Sequence, residues 1–74
     1  MTLSGAEIDT LYRLARAHPL PVDAGDIPSK VGRSGLLEKG LAEVVDNYRN
    51  GQTICTRNGL IEYHSRRKLD GAIS

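Results

Sequence analysis

The stretch AEVVDNYRNGQTICT, residues 42–56, decides the fold of this chain. It contains Asn50-Gly51, the strongest short signal for a β-hairpin, because both central positions of a type I′ turn need a positive φ. We therefore predict two antiparallel strands, Ala42 to Arg49 and Gln52 to Thr56, joined by a two-residue turn.

A two-residue turn also fixes which residues of the two strands lie opposite each other. Arg49 is then expected to face Gln52, and Asp46 to face Cys55. The apolar residues divide between the two faces of the hairpin, with Val44, Tyr48 and Cys55 on one face and Val45 and Ile54 on the other. Because both faces are partly apolar, the alternation alone does not decide which face meets the core.

The N-terminal segment has the signature of a helix start. Ser4 and Glu7 form a capping box, in which the Ser4 hydroxyl accepts from the Glu7 amide and the Glu7 side chain reaches back. Pro19 disfavours a helical residue before it, so the helix should end near Ala17 or His18. The buried stripe of this helix is predicted from helical spacing to be Ile8, Leu11, Tyr12 and Ala15.

The next segment predicts two short helices. Asp26 can cap the first, over Ile27 to Val31, because the proline at position 28 is tolerated in a first turn. Ser34 can cap the second, over Gly35 to Lys39. We interpret the glycines at positions 32, 35 and 40 as helix boundaries.

The end of the second short helix is specified by Gly40. In a left-handed conformation this glycine would bring Leu41 into contact with Leu36, as in a Schellman ending.

A last helix is predicted after the hairpin. Thr56 can cap it, and it should run over Arg57 to Lys68, with Leu69 to Ser74 fraying. Its buried stripe is predicted to be Leu60, Ile61 and His64. Its cations lie largely outside that stripe and favour a solvated helix end that suits the helix dipole: Arg57, Arg66, Arg67 and Lys68.

Length and composition limit the range of functions. The chain has 74 residues, which is enough for a single domain over residues 1–74 with an ordered core expected at about 4–68. The absence of a long apolar stretch and the single cysteine favour a cytoplasmic protein. The net charge is +1, with seven acidic and five basic residues up to position 46 and two acidic and five basic residues after it. The C-terminal third is therefore the cationic part.

The order of these elements is similar to that of small winged helix-turn-helix domains. The resemblance rests on Leu36-Leu37-Glu38-Lys39-Gly40-Leu41 before the hairpin and on Cys55-Thr56-Arg57-Asn58-Gly59 after it. It implies an α+β, winged-helix-like fold of three or four helices with a two-stranded antiparallel hairpin. It also implies that Val44, Tyr48 and Cys55 face the core and that Ile54 faces outward. Residues 26–40 are shorter than a usual two-helix recognition unit of ~20 residues, so the chain resembles the trimmed winged helices of small bacterial and prophage regulators.

The function that the resemblance implies is binding of duplex DNA in transcription regulation. The side chains expected to contact DNA lie in the helix-turn-helix and at the hairpin tip: Ser29, Lys30, Arg33, Ser34, Lys39, Arg49, Asn50 and Gln52. Lysines and helix amides would contact phosphates, while Arg33 would reach a guanine edge and Arg49 a narrow minor groove. The alternative is a protein-interaction or homodimerisation module that binds through Val45 and Ile54 without nucleic acid.

Catalysis and cofactor binding are not expected. Cys55 and His64 are interpreted as packed side chains, because no helix N-terminus or second base is present to activate the thiol. His18, His64 and Cys55 have none of the paired spacings of zinc sites. The glycines lack the Gly-Lys-Ser/Thr ending of a phosphate loop.

Overall fold

The fold is α+β, with three α-helices and a two-stranded antiparallel hairpin in the described part of the chain. It is a computed structural model that describes residues 2–46 and 51–73. The elements in chain order are α1 (Gly5–Ala17), a 3₁₀ turn (Ala24–Asp26), α2 (Lys30–Glu38), β1 (Ala42–Asp46), β2 (Gln52–Cys55) and α3 (Arg57–Ile73). The predicted class and the existence of the hairpin are therefore confirmed.

The start and the end of α1 are as predicted. The Glu7 amide donates to Ser4 Oγ at 3.1 Å, and the Ser4 amide donates to Glu7 Oε1 at 2.8 Å. The helix ends at Ala17, before the proline at position 19. Its buried apolar residues are Leu11, Leu14 and Ala15, while the predicted Ile8 and Tyr12 are only partly buried.

The prediction of two short helices between residues 26 and 40 is wrong, because α2 is one continuous helix. Its N-cap is Ser29, whose hydroxyl accepts from the Gly32 amide at 3.0 Å. Asp26 ends the 3₁₀ turn instead of capping a helix, and Ser34 lies inside α2. Ile27 is extended, with φ −83° and ψ 128°, as expected for a residue before a proline.

Two glycines that we interpreted as helix boundaries are instead the contact between α1 and α2. A Cβ on Gly32 would overlap the Ala6 carbonyl oxygen and lie 2.6 Å from Thr10 Oγ1. A Cβ on Gly35 would overlap the carboxylate of Glu7. Glycine costs a helix interior roughly 1 kcal/mol relative to alanine, and here this cost is offset by the close approach of the two helices.

The end of α2 is the predicted Schellman motif. Gly40 has a φ of 73°, the Leu41 amide donates to the Leu36 carbonyl at 2.9 Å, and the Gly40 amide donates to the Leu37 carbonyl at 3.2 Å. Leu36 and Leu41 are both buried. This ending turns the chain directly into β1.

The predicted hairpin register is wrong by four positions. Cys55 lies opposite Ala42 rather than Asp46, and Asp46 lies opposite Gln52 across an irregularity in β1. Because Asp46 pairs with Gln52, a two-residue turn at Asn50-Gly51 cannot join the strands, and that prediction is wrong. The expected positive φ of Gly51 is confirmed at 54°, whereas residues 47–50, including the asparagine of the predicted turn, lie outside the described residues.

The predicted faces of Val44, Ile54 and Cys55 are correct despite this error, whereas Val45 lies at the irregularity between Val44 and Asp46. A shift by an even number of residues leaves each side chain on the same face of a strand. Thr53 and Cys55 in β2 and Ala42 in β1 are buried, and Val44 opposite Thr53 is half-buried. The implied core position of Cys55 is therefore confirmed, while Tyr48 lies outside the described residues.

The segment before α2 adds one further pairing to the hairpin. Val22 and Thr53 exchange both backbone hydrogen bonds, at 2.8 and 3.0 Å. The backbone N–H and C=O of Thr53 point to the same side of β2. Because both bond to Val22, Val22 lies on the edge of β2 opposite to β1.

The buried face of α3 differs from the prediction. Thr56 caps the helix as expected, with its Oγ1 accepting from the Gly59 amide at 3.1 Å. The buried residues are Gly59 and Tyr63, whereas Ile61 is 57% exposed and His64 is exposed. Gly59 lies against the Leu41 carbonyl and the Cys55 sulfur, so the glycine side of α3 packs inward. The helix continues to Ile73, beyond the predicted end at position 68.

The core of the domain is one cluster with residues from all three α-helices and both strands. Its members, all buried and apolar, are Leu3, Leu11, Leu14, Ala15, Val22, Ile27, Leu36, Leu41, Ala42, Cys55 and Tyr63. Within the described residues no helix is long and apolar enough to cross a membrane.

The close contact between α1 and α2 at Gly32 leads to a prediction for stability. Gly32→Ala should lower the free energy of unfolding by ~1–3 kcal/mol, despite the better helix propensity of alanine, because the added methyl overlaps α1. The measurement is urea or thermal unfolding followed by circular dichroism. Gly5→Ala is the matched control, since nothing lies within 4 Å of its Cβ position in the first turn of α1. Equal stability of the two variants would contradict the packing role of Gly32.

Candidate nucleic-acid interface

One side of α2 faces solvent. Lys30, Val31, Ser34 and Glu38 are all exposed and fall within one helical stripe, and we call them the α2 face. The opposite side of the helix contains the buried Gly32 and Leu36. The α2 face is therefore a polar surface with a single apolar side chain, held in place by the packing behind it.

Arg33 ties α2 to the hairpin. Its Nε donates to Thr53 Oγ1 at 2.7 Å, and its Nη2 donates to the Gly51 carbonyl at 3.3 Å. Thr53 is fully buried, and its hydroxyl also donates to the Gly51 carbonyl at 3.1 Å. The guanidinium is thus used to hold the start of β2 against α2, a positioning role that differs from the guanine contact suggested by the resemblance.

Lys39 is paired inside the protein. Its Nζ contacts both carboxylate oxygens of Glu7, at 2.8 and 2.6 Å, and donates to the Thr2 carbonyl at 3.4 Å. The Glu7 side chain is 8% exposed and that of Lys39 is 34% exposed. The hydrogen bond from Lys39, followed by that from the Ser4 amide, lowers the pKa of Glu7 below its ordinary value. Much of the charge of Lys39 is therefore compensated before any phosphate approaches.

Of the other residues predicted to contact DNA, some make contacts inside the protein and others lie outside the described residues. Ser29 caps α2, and its carbonyl accepts from the Arg33 amide at 3.0 Å. Gln52 Nε2 donates to Asp23 Oδ1 at 2.7 Å, which joins the start of β2 to the segment before the 3₁₀ turn. Arg49 and Asn50 lie outside the described residues, so their contacts stay a prediction. The structure brings Lys30, Arg33 and Ser34 together on α2.

The residues of the alternative interface lie on the hairpin. Val45 is 49% exposed, and Ile54 is half-buried opposite the exposed Glu43. Ile54 points to the face of the hairpin away from Cys55, as the resemblance implies.

Two cations of α3, Arg66 and Arg67, make contacts within the domain. Arg66 Nε lies 2.8 Å from Glu62 Oε2, one helical turn earlier. The Arg67 guanidinium lies 5.5 Å from the centre of the Tyr63 ring, which meets the Tyr12 ring edge to face at 4.9 Å. The tyrosine pair packs α3 onto α1. Because α3 continues to Ile73, Arg66 and Arg67 do not lie in its last turn, so the predicted placement of these cations at a helix end that suits the dipole is wrong.

Chemistry at Cys55 is disfavoured by its surroundings. The thiol is buried, and burial raises its pKa to about 11, so the sulfur is protonated at neutral pH. His64 is exposed on α3 and contacts the Tyr63 ring at 5.3 Å between centroids. In residues 2–46 and 51–73 there is no group of metal-binding side chains and no pocket.

Val31 is the surface residue that the sequence-based prediction missed. The sequence predicts Val31 as the last residue of a short helix over Ile27 to Val31, a position that does not define which side of the helix it occupies. Once α2 is known to begin at Lys30, helical spacing alone sets Val31 on the side opposite to Leu36. The signal that locates it is the Ser29 cap, which competes in the sequence with Asp26.

Comparison with protein families, with curated proteins and with solved structures finds no match to this chain.

The Arg33 contacts make a prediction for stability. Arg33→Ala removes two charged hydrogen bonds and leaves the Thr53 hydroxyl in a buried site, so unfolding should become easier by ~1.5–3 kcal/mol. Arg33→Lys should recover only part of this loss, because lysine lacks the planar fork that reaches both acceptors. Lys30→Ala, which removes an exposed cation from the same helix, should change stability by less than ~0.5 kcal/mol. Similar urea midpoints for all variants would refute this role of Arg33 in joining α2 to β2.

The Glu7 carboxylate makes a prediction for pH dependence. Because its pKa is lower in the folded protein than in the unfolded chain, it stabilises the fold above its ordinary pKa of 4.5, and this contribution is lost as pH falls through the folded-state pKa. Thermal unfolding from neutral to acid pH should show a smaller acid loss for Glu7→Gln than for wild type. Glu43→Gln, at an exposed carboxylate, should keep the wild-type slope. A Glu7→Gln profile parallel to wild type would rule out this linkage.

Proposed function

We propose that this chain is a DNA-binding domain with a winged-helix-like layout, in which α2 enters the major groove and the β1–β2 hairpin lies beside it as the wing. The order α1, the strand pairing at Val22, α2, hairpin and α3 supports this layout. The position of the Val22 bridge, on the edge of β2 opposite to β1, is compatible with it as well.

The observation that carries the proposal is the separation of the two sides of α2. The inner side contains the glycine contacts with α1, and the outer side presents Lys30 and Ser34 to solvent. Lysine meets phosphates, and the serine hydroxyl can donate to or accept from either phosphate or base edges. A helix that is fixed behind and polar in front is the arrangement that groove binding needs.

The length of α2 is sufficient for this role. A helix of nine residues at about 1.5 Å per residue extends about 13 Å, close to the width of the major groove, which is about 12 Å. The two short helices predicted from sequence would each have been too short. The continuity of α2 through Gly32 therefore strengthens the proposal.

The hairpin is positioned to follow the helix onto DNA. Arg33 fixes the start of β2 against α2 through Gly51 and Thr53, so the end of the hairpin moves with the helix. Arg49 and Asn50 precede Gly51 in the chain, and we assign them to backbone contacts from the wing.

Electrostatics limits the expected affinity. Lys39 is paired with Glu7, and Glu38 adds a negative charge to the α2 face. Few phosphates are then neutralised per domain, so binding to random duplex should be weak and its salt dependence shallow compared with strongly basic proteins.

The test is binding of the full chain to a fluorescent random-sequence duplex, followed by anisotropy at salt concentrations from about 50 to about 200 mM. Wild type should lose affinity as salt rises. Lys30→Ala should weaken binding on every sequence and reduce the slope of log K against log salt by about 1, because one phosphate contact is lost.

Arg57→Ala is the matched control, because it removes one exposed cation from the start of α3 rather than from α2. It should keep the wild-type slope. Absence of binding at the lowest salt, or equal losses in both variants, would refute α2 as the DNA-contacting element. Concentration-dependent self-association without DNA binding would instead favour the interaction module that uses Val45 and Ile54.

A further inference from the structure

We propose that Val31 recognises the 5-methyl group of a thymine in the major groove, an inference that rests on the proposed DNA-binding function. Val31 is 76% exposed, the highest value among the large apolar side chains that are exposed in the described residues. The others, Leu20, Val45 and Ile61, are outside α2. The most exposed apolar side chain thus lies on the helix that we assign to the groove.

The position of Val31 within α2 suits contact with bases. It is the second residue of the helix, next to the Ser29 cap, and recognition helices contact base edges mainly with their N-terminal residues. Valine in a helix strongly prefers one χ1 rotamer, so its two methyl groups have a defined direction. The packing of Gly32 against α1 fixes the backbone beside it.

The surroundings of Val31 favour a base over a protein surface. Lys30, Ser34 and Glu38, the other members of the α2 face, are all polar, so Val31 is the one exposed apolar residue of α2, whereas surfaces that dock proteins are extended apolar patches. The thymine methyl is the apolar feature that base pairs present in the major groove, and it lies among hydrogen-bonding groups. One apolar side chain among polar ones is complementary to that pattern.

The experiment begins with selection of bound duplexes from a random pool by the full chain. Each thymine of the selected site is then replaced by deoxyuridine, which removes only the 5-methyl group. At one position the replacement should weaken binding about three- to fivefold, the effect expected for one buried methyl group. Val31→Ala should bind the thymine and deoxyuridine duplexes equally.

Controls separate this inference from the function on which it rests. Leu20→Ala removes an apolar side chain that is 69% exposed outside α2 and should keep the preference for thymine. Val31→Ser, which removes both methyl groups and adds a hydroxyl, provides a second variant if the alanine variant does not fold, and it should bind the thymine and deoxyuridine duplexes equally. Thermal melting reports whether each variant is folded.

The outcomes are distinct. A pool that yields no bound sequence overturns the proposed function. A bound site with no thymine, or with equal affinity for thymine and deoxyuridine at every position, overturns only the role of Val31. A thymine preference that both folded Val31 variants retain assigns the methyl contact to another residue and also overturns it.

Discussion

The fold depends on a set of hydrogen bonds between the end of α2 and the start of α3. Thr56 donates its amide to the Leu41 carbonyl at 3.1 Å and its hydroxyl to the Gly40 carbonyl at 2.7 Å, while its Oγ1 accepts from the Gly59 amide. One threonine thus closes the base of the hairpin, satisfies the carbonyl of a left-handed glycine and caps the next helix. Because these bonds fix where β1 begins and β2 ends, the hairpin register is set at its base rather than at its tip.

This constraint explains which parts of the fold were predictable. The capping box at Ser4, the Schellman ending at Gly40 and the cap at Thr56 each involve residues close in sequence, so the sequence contains the complete signal. No such local signal exists for the hairpin register, because the register depends on contacts between the segments that flank the hairpin. The Asn50-Gly51 pair indicated that a hairpin exists, and the base contacts decided which residues face each other.

Only part of the candidate site was predictable, because here too a local sequence pattern does not contain contacts between distant residues. Lys30 and Ser34 were selected as polar residues near a helix start, and both are exposed on α2. The internal partners of Lys39 and Arg33 are 32 and 20 positions away, in α1 and β2, and a local pattern does not contain them. The two glycines of α2 were misinterpreted because the partner that makes a glycine favourable in a helix, the backbone of α1, is distant in sequence.

Within α2, the residues that stabilise the fold are separate from those that we propose to contact DNA. Gly32 and Leu36 face the core, whereas Lys30, Val31 and Ser34 face solvent, so the outer residues are free to vary at little cost in stability. Arg33 lies between the two sides and joins the helix to Thr53 and Gly51. A small domain with a net stability of only a few kcal/mol has little tolerance for losing such a contact. Arg33 therefore limits how far the orientation of the hairpin relative to α2 can change when residues on the outer face of the helix are replaced.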